Sequence, residues 1–290
     1  MAGTASSAIE RKDIGELQFR LGIEAEIIQG QDLKDMESAT NIWLTWVGEK
    51  WSIKAKSTIY NDLSSISGDF IKGKIDLITL TSLNYLKFIH HLSEDPELGP
   101  AGVLNGKVCI KYLLIVRNDL KYNHISDLRG KKLTLQTVGD IERLFVNTLL
   151  LRDGLKEAKN FFSKIIEKTK PSRAVLDVFF GKSDVCVVPE HVFNTMIELN
   201  PQMAQQTKVL AISPAVLPAV TGFRKNCDPR VKKFLLDQVP VLQNSEKGKQ
   251  LFLMYKIEDV AQIQDTDLDT LRDMVSEYDT LKANSKINDN

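Results

Sequence analysis

The chain has 290 residues, with 38 Lys plus Arg against 38 Asp plus Glu, a formal net charge of zero and 43% hydrophobic content. That is an ordinary globular composition, long enough for one large domain or two modest ones, and it supplies no overall basic charge for nucleic acid. No apolar run approaches the ~18 residues of a membrane span, and Cys109, Cys186 and Cys227 are far apart and odd in number, with no disulfide framework or metal spacing.

Residues 1–16 are small and polar and are expected to fray. They lack the basic segment followed by an apolar one that marks a signal peptide. A cytosolic start and a removed signal peptide both fit. Leu17, Phe19, Leu21 and Ile23 alternate, which predicts a first strand over 17–28, and Asp32 is a plausible N-cap. Leu33, Met36, Ile42, Trp43, Trp46 and Val47 then recur near the helical period, giving an amphipathic helix over 33–51. Trp43, Trp46 and Trp51 read as packing on its apolar face rather than as a ligand cage. A strand over 54–60, a helix over 63–72 stopped by Gly73, and a strand over 75–80 follow. Beyond a loop with Pro96, Gly99 and Pro100, residues 107–116 predict a long apolar strand that leaves the first lobe.

The second part of the chain repeats the alternation. A helical turn is expected at 125–130, strands at 132–136, 161–166, 185–188 and 209–212, and helices at 139–151, 173–180 and on to 199. Residues 221–224 bring the chain back, and helices over 229–243, 245–255 and 267–281 complete it. Alternating strands and helices predict α/β lobes with mostly parallel sheets, the ligand lying beyond the carboxyl ends of the strands. The expected division is a discontinuous first lobe, 17–115 with 220–290, and a second lobe, 116–219.

Two segments share one form: Gly73-Lys-Ile-Asp76 running through apolar residues into Thr81-Ser82-x-x-Tyr85, and Gly181-Lys-Ser-Asp184 running into Pro189-Glu190. Further landmarks are Val116-Arg-Asn-Asp119, Ile125-Ser-Asp-Leu-Arg-Gly-Lys131, Ile212-Ser-Pro214 with Pro218, Arg224-Lys-Asn, Asp228-Pro229, Gly248-Lys-Gln-Leu-Phe and Asp265-Thr-Asp-Leu-Asp. In this order and spacing the chain resembles, from about Leu17 to Leu281, the phosphate/phosphonate-binding family of ABC-transporter solute-binding proteins, with the two-lobed type II periplasmic binding fold. The resemblance implies a periplasmic or extracellular protein whose signal peptide has been removed. It also implies capture of a small polar ligand, phosphonate- or phosphate-like, by two-lobe closure and delivery to a membrane permease. The protein would act without catalysis, cofactor, metal or nucleic acid, as a monomer.

The resemblance carries Thr81, Ser82 and Tyr85 over as the first-lobe hydroxyl cluster. In the second lobe the family's Ser-x-Ser-Gly loop is matched only by Thr137-Val-Gly139-Asp140, and Leu63 stands where a Tyr is common. Asp140 is either an N-cap or a carboxylate facing the cleft, where it would oppose a phosphonate dianion. Glu190 falls where relatives with amino-bearing ligands carry an acid; its other reading is a first-turn Glu beside Pro189 at N1. Ser213 could offer its hydroxyl, and Arg143 either neutralises Asp140 or points outward. The remaining hypotheses are a ligand-sensing domain of a membrane signalling protein and an enzyme on the same scaffold. For the enzyme only Tyr85, Glu190 and His191 are candidates, with no nucleophile-and-base spacing. His90-His91 lacks metal spacing, and Gly181-Lys-Ser183 lacks the first Gly of a P-loop.

Overall fold

The computed structural model describes residues 17–28, 30–49, 52–92, 95–137 and 140–288, with side chains in the last helix as far as residue 285. The expectations for residues 1–16, Gln29, Trp51 and Gly139 lie outside the described residues. From the amino end run β1 (Leu17–Glu24), a 3-10 turn (Ala25–Ile28), α1 (Leu33–Glu49), β2 (Ile53–Tyr60), α2 (Leu63–Ile71), β3 (Leu77–Thr81), α3 (Ser82–Ile89), β4 (Glu97–Leu98) and β5 (Pro100–Val103). Then come β6 (Tyr112–Arg117), β7 (Lys132–Gln136), α4 (Asp140–Arg152), α5 (Ala158–Phe161), β8 (Lys164–Lys168), α6 (Pro171–Phe179), β9 (Val185–Pro189), α7 (Glu190–Leu199), α8 (Gln202–Gln206) and β10 (Thr207–Ile212). The chain closes with β11 (Ala219–Phe223), α9 (Pro229–Asn244), α10 (Glu246–Tyr255), β12 (Asp259–Gln262) and α11 (Asp269–Asn288).

One sheet has the order β2-β1-β3-β11-β4 and the other β10-β6-β9-β7-β8; β5 and β12 form a two-stranded ribbon. Both large sheets are mixed rather than mostly parallel. In the first, β1 pairs parallel with β2 and β3, but β11 pairs antiparallel with β3 and β4. In the second, β7 pairs parallel with β8 and β9, while β6 runs antiparallel to β9 and β10. The antiparallel strands are the crossing ones. A strand arriving from the other lobe needs no βαβ crossover, so the handedness rule that keeps its neighbours parallel does not bind it.

The repeated Gly-Lys-x-Asp segments do the same mechanical work in each sheet. Gly73 and Gly181 end their helices at φ 69° and 68°, a left-handed conformation that an L side chain resists. Three residues on, the Asp76 N–H donates to the Arg20 carbonyl of β1 and its carboxylate accepts from the Arg20 N–H. The Asp184 N–H likewise donates to the Lys132 carbonyl of β7, and its carboxylate accepts from the Lys132 N–H. Each aspartate, placed just before its own strand, clamps a neighbouring one: Asp76 the middle of β1 and Asp184 the start of β7. Asp76 is the more buried and also takes both Arg20 and Arg224 at 3.0 Å. The motif therefore sits at the edge of each sheet opposite the ligand edge.

Three predicted elements differ in extent. The first strand stops at Glu24, where the chain tightens into the 3-10 turn. The exit strand begins only at Tyr112, because Leu104 and Lys107 close a tight bridge through Asn105 and Gly106, both at positive φ. The strand expected at 161–166 splits: α5 buries Phe161, and β8 starts at Lys164. The final helix, grouped by sequence with the first lobe, lies along α4. Arg152 of α4 pairs with Glu277, while Tyr278 and Lys282 both bond Glu157. Leu268, Leu271 and Met274 join a core cluster that holds Ile78 and Leu80 of the first sheet and Leu114 and Leu133 of the second.

Candidate functional site

A cavity of about 600 Å3 lies where the carboxyl edges of the two sheets face each other. Its rim collects the starts of four helices: Thr81 before α3, Asp140, Ile141 and Glu142 of α4, Lys170, Pro171 and Ser172 at α6, and Pro189, His191 and Val192 at α7. Glu26 of the 3-10 turn and Gln136 at the end of β7 complete it. Helix starts present unpaired N–H groups and a positive dipole end, so this layout is adapted to anions.

The chain fills that role with its own carboxylates. Glu24, only 1% exposed, accepts from the Thr81 N–H at 2.8 Å and from Asn84 Nδ2 at 2.6 Å. It thereby takes the N–H just before α3 and a side-chain amide of its first turn, while the Ser82 N–H bonds the Pro218 carbonyl. Asn84 also donates to Glu26 at 3.3 Å and accepts from Lys87 Nζ at 3.0 Å, and Lys87 stands 3.6 Å from Asp140. Arg143 turns away and pairs with Glu167. Burial first, then the charges of Glu24 and Asp140, push the Glu26 carboxyl up to about 7. Burial likewise holds the Glu142 carboxyl at about 7, with Asp140 adding to the effect. Four carboxyl groups thus cluster here. Lys87 reaches in from the side, and Lys170 and Lys256 stand exposed at the margin. Among the described residues no group of three or more His, Cys, Asp or Glu is arranged to hold a metal ion.

The residues singled out from sequence are distributed as follows. Thr81 and Asp140 line the cavity. Ser82 is fully buried beside Thr81; both hydroxyls, and His191 Nδ1 across the cleft, are buried without a partner among the described residues. Tyr85 points into the core, where its ring is 3.4 Å from the place a Cβ on Gly222 would take, and burial raises its pKa. Thr137 is exposed and holds β8 through its N–H to Lys168. Glu190 starts α7 and its N–H bonds the Lys111 carbonyl, while its neighbour His191 is the one that lines the cavity. Burial lowers the His191 pKa, against the charges of Glu258 and Glu190. Ser213 accepts from the Tyr112 N–H at 2.8 Å and donates to the Pro214 carbonyl at 2.7 Å, tying the two crossing segments together.

Sequence reasoning passed over Glu24, Glu26 and Glu142. The signal was available: Glu24 ends the first strand and Glu26 follows in the 3-10 turn, at the edge where α/β sheets bind ligands. Glu142 shares the first turn of α4 with Asp140.

A profile of the family described as "ABC transporter, phosphonate, periplasmic substrate-binding protein" matches residues 27–268. Among solved structures the chain is similar to a binding protein component of an ABC phosphonate transporter from Pseudomonas aeruginosa, at 15% identity and TM-score 0.65 over 93% of this chain and 89% of that one. It is similar to a Xanthomonas citri protein solved with ATP, at 15% identity and TM-score 0.67, covering 92% and 98%. It is also similar to PhnD1 of Prochlorococcus marinus solved with methylphosphonate, at 13% identity and TM-score 0.63, covering 90% and 98%. Comparison with curated proteins finds no match. The chain belongs to this phosphonate substrate-binding family of ABC transporters and has the two-lobed type II periplasmic binding fold.

Proposed function

We propose, from this membership, that the protein captures a small solute outside the cytoplasmic membrane and hands it to a permease, and that the group it recognises in the cleft is an ammonium. The two lobes, 17–115 with 220–268 and 116–219 with the helix α11 that lies along α4, close on the solute as a monomer, without bond chemistry or nucleic acid. Among phosphonates, an aminoalkyl one fits better than a simple dianion. No described helix is long and apolar enough to cross a membrane.

The observation that carries the ligand reading is Glu24. A phosphonate at the start of α3 would meet a buried carboxylate that already takes the Thr81 N–H and the Asn84 amide. It would also face Asp140 and, once they ionise near pH 7, Glu26 and Glu142, and like charges repel strongly where water is excluded. An ammonium reverses every one of those signs. Thr81, Asp140, Glu26, Glu142 and His191 are the residues proposed to line the head-group site. Ser82, Tyr85, Thr137, Glu190 and Ser213 are assigned to its support.

Thermal unfolding of the purified protein with ethylamine, aminoethylphosphonate and methylphosphonate tests this. A solute at 100 times its Kd adds about 2.7 kcal/mol. Stabilisation by the two ammonium compounds is expected. Methylphosphonate stabilising the protein more than both would overturn the assignment.

A further inference from the structure

The cavity does not end at the cleft. From the acidic rim it continues into the first lobe, between one face of the sheet and helices α1, α9 and α10. The register sets its walls in tiers. Thr81 and Ala219 are paired at the top; Thr221, Thr79 and Ile23 form the next tier; Phe223, Leu77 and Leu21 form the third; and Phe19 lies deepest. From Thr81 to Leu77 is four residues, or ~13 Å at ~3.3 Å per strand residue.

The opposite wall is apolar as well. Leu235, Val239 and Leu242 of α9, Leu251 of α10, and Ile257 and Val260 before and in β12 line it, and all stay only half-buried. In a first-lobe core these positions would be closed by packing. The floor is closed, since Phe19, Leu77 and Phe223 are buried. Of the polar groups lining the chamber, the Thr40 and Tyr255 hydroxyls meet at 2.8 Å and Thr221 bonds the Pro100 carbonyl, while Trp43 Nε1 is buried without a partner among the described residues. The rest of the lining is mostly apolar.

A volume of this size is in the range that encloses ligands of ~300–1,000 Å3, and a two-carbon solute would fill only a small part of it. We infer that the solute is an amphiphile, whose head lies among the carboxylates of the cleft and whose linear apolar tail enters the chamber over Ile23, Thr79, Thr221 and Leu21 against Val239 and Leu242. The placement of the head rests on the reading given under Proposed function; the tail rests on the chamber alone.

Three homologous series separate the two claims: primary alkylamines, alkanols and alkylphosphonates, each from ethyl through butyl and hexyl to octyl, titrated calorimetrically into the full chain. Burial of each methylene is expected to tighten Kd about fourfold through the octyl member, whose tail of ~10 Å still ends above Phe19. The Val239→Trp variant, which places an indole in the chamber, is expected to flatten that slope; Val239→Phe serves if the larger side chain prevents folding. A slope in any of the three series that Val239→Trp removes supports the chamber, and the series that binds tightest judges the head. Ethylamine bound with no gain along the series would overturn the tail and leave the head standing. Alkanols or alkylphosphonates binding tighter than amines, with the slope intact, would overturn the head and leave the tail. Flat or absent binding in all three series would overturn the chamber as a ligand site.

Discussion

The Glu142→Gln substitution isolates the cost of the buried acid at the start of α4. Glu142 is 4% exposed, and burial raises its carboxyl from the ordinary 4.5 to about 7. The sign follows from proton counting. Below 4.5 both the folded and the unfolded chain hold the proton, and the group is neutral with respect to stability. Between 4.5 and about 7 the unfolded chain has lost the proton and the folded one keeps it, so stability falls as pH rises. Above about 7 the folded protein carries the full cost of a buried charge. At ~1.4 kcal/mol for each pH unit between the two values, that cost is about 3 kcal/mol. Glutamine keeps the shape and never ionises. Urea unfolding at about pH 4 is therefore expected to give nearly equal stability for the two proteins, and at about pH 8 to favour Glu142→Gln by up to about 3 kcal/mol. Parallel pH curves for parent and variant would refute the claim that this carboxyl is held protonated by its surroundings. Glu26 contributes with the same sign but less, because it is half-buried and screened by water.

The same two carboxyls make ligand affinity depend on pH. An alkylamine needs them ionised, so its affinity, measured by calorimetry, is expected to rise as pH increases through about 7, whereas a phosphonate would show the opposite trend. Asp76→Asn is expected to lose about 3 kcal/mol in urea unfolding, since a buried carboxylate holding two arginines and a strand N–H is neutralised. Asp184→Asn, in the equivalent position but with only a backbone N–H at 2.9 Å and the more distant Tyr122 hydroxyl, is expected to lose about 1 kcal/mol. Equal losses would refute the division of labour between the two clamps. Ser213→Ala strips the Tyr112 N–H of its partner in a buried site and is expected to cost about 2 kcal/mol, while ethylamine affinity stays within twofold if the hydroxyl is structural.

Much of the architecture was legible because its signals are local. Alternation at Leu17, Phe19, Leu21 and Ile23 and the helix stops at Gly73 and Gly181 each act within a few residues, and these elements form near where the pattern places them. The repeated Gly-Lys-x-Asp stood out for the same reason, but its role did not. Whether an aspartate clamps a strand or meets a ligand depends on which edge of the sheet it reaches, and that is set by pairing with β1 or β7, which are more than fifty residues away.

The polar residues of the cleft show the limit most directly. Thr81 and Asp140 can be located from sequence because each opens a helix at the carboxyl end of a strand. That Glu24 would reach across from β1 and take the Thr81 N–H could not be read locally, nor that Lys87 rather than Arg143 would lie beside Asp140. Sequence by itself determined the two-lobed α/β fold and the family, since hydrophobic period, glycine stops and landmark order are properties of short segments. The tertiary structure alone decided the charge of the site and the depth of its cavity. Both depend on burial, and burial is fixed only when distant segments pack against one another.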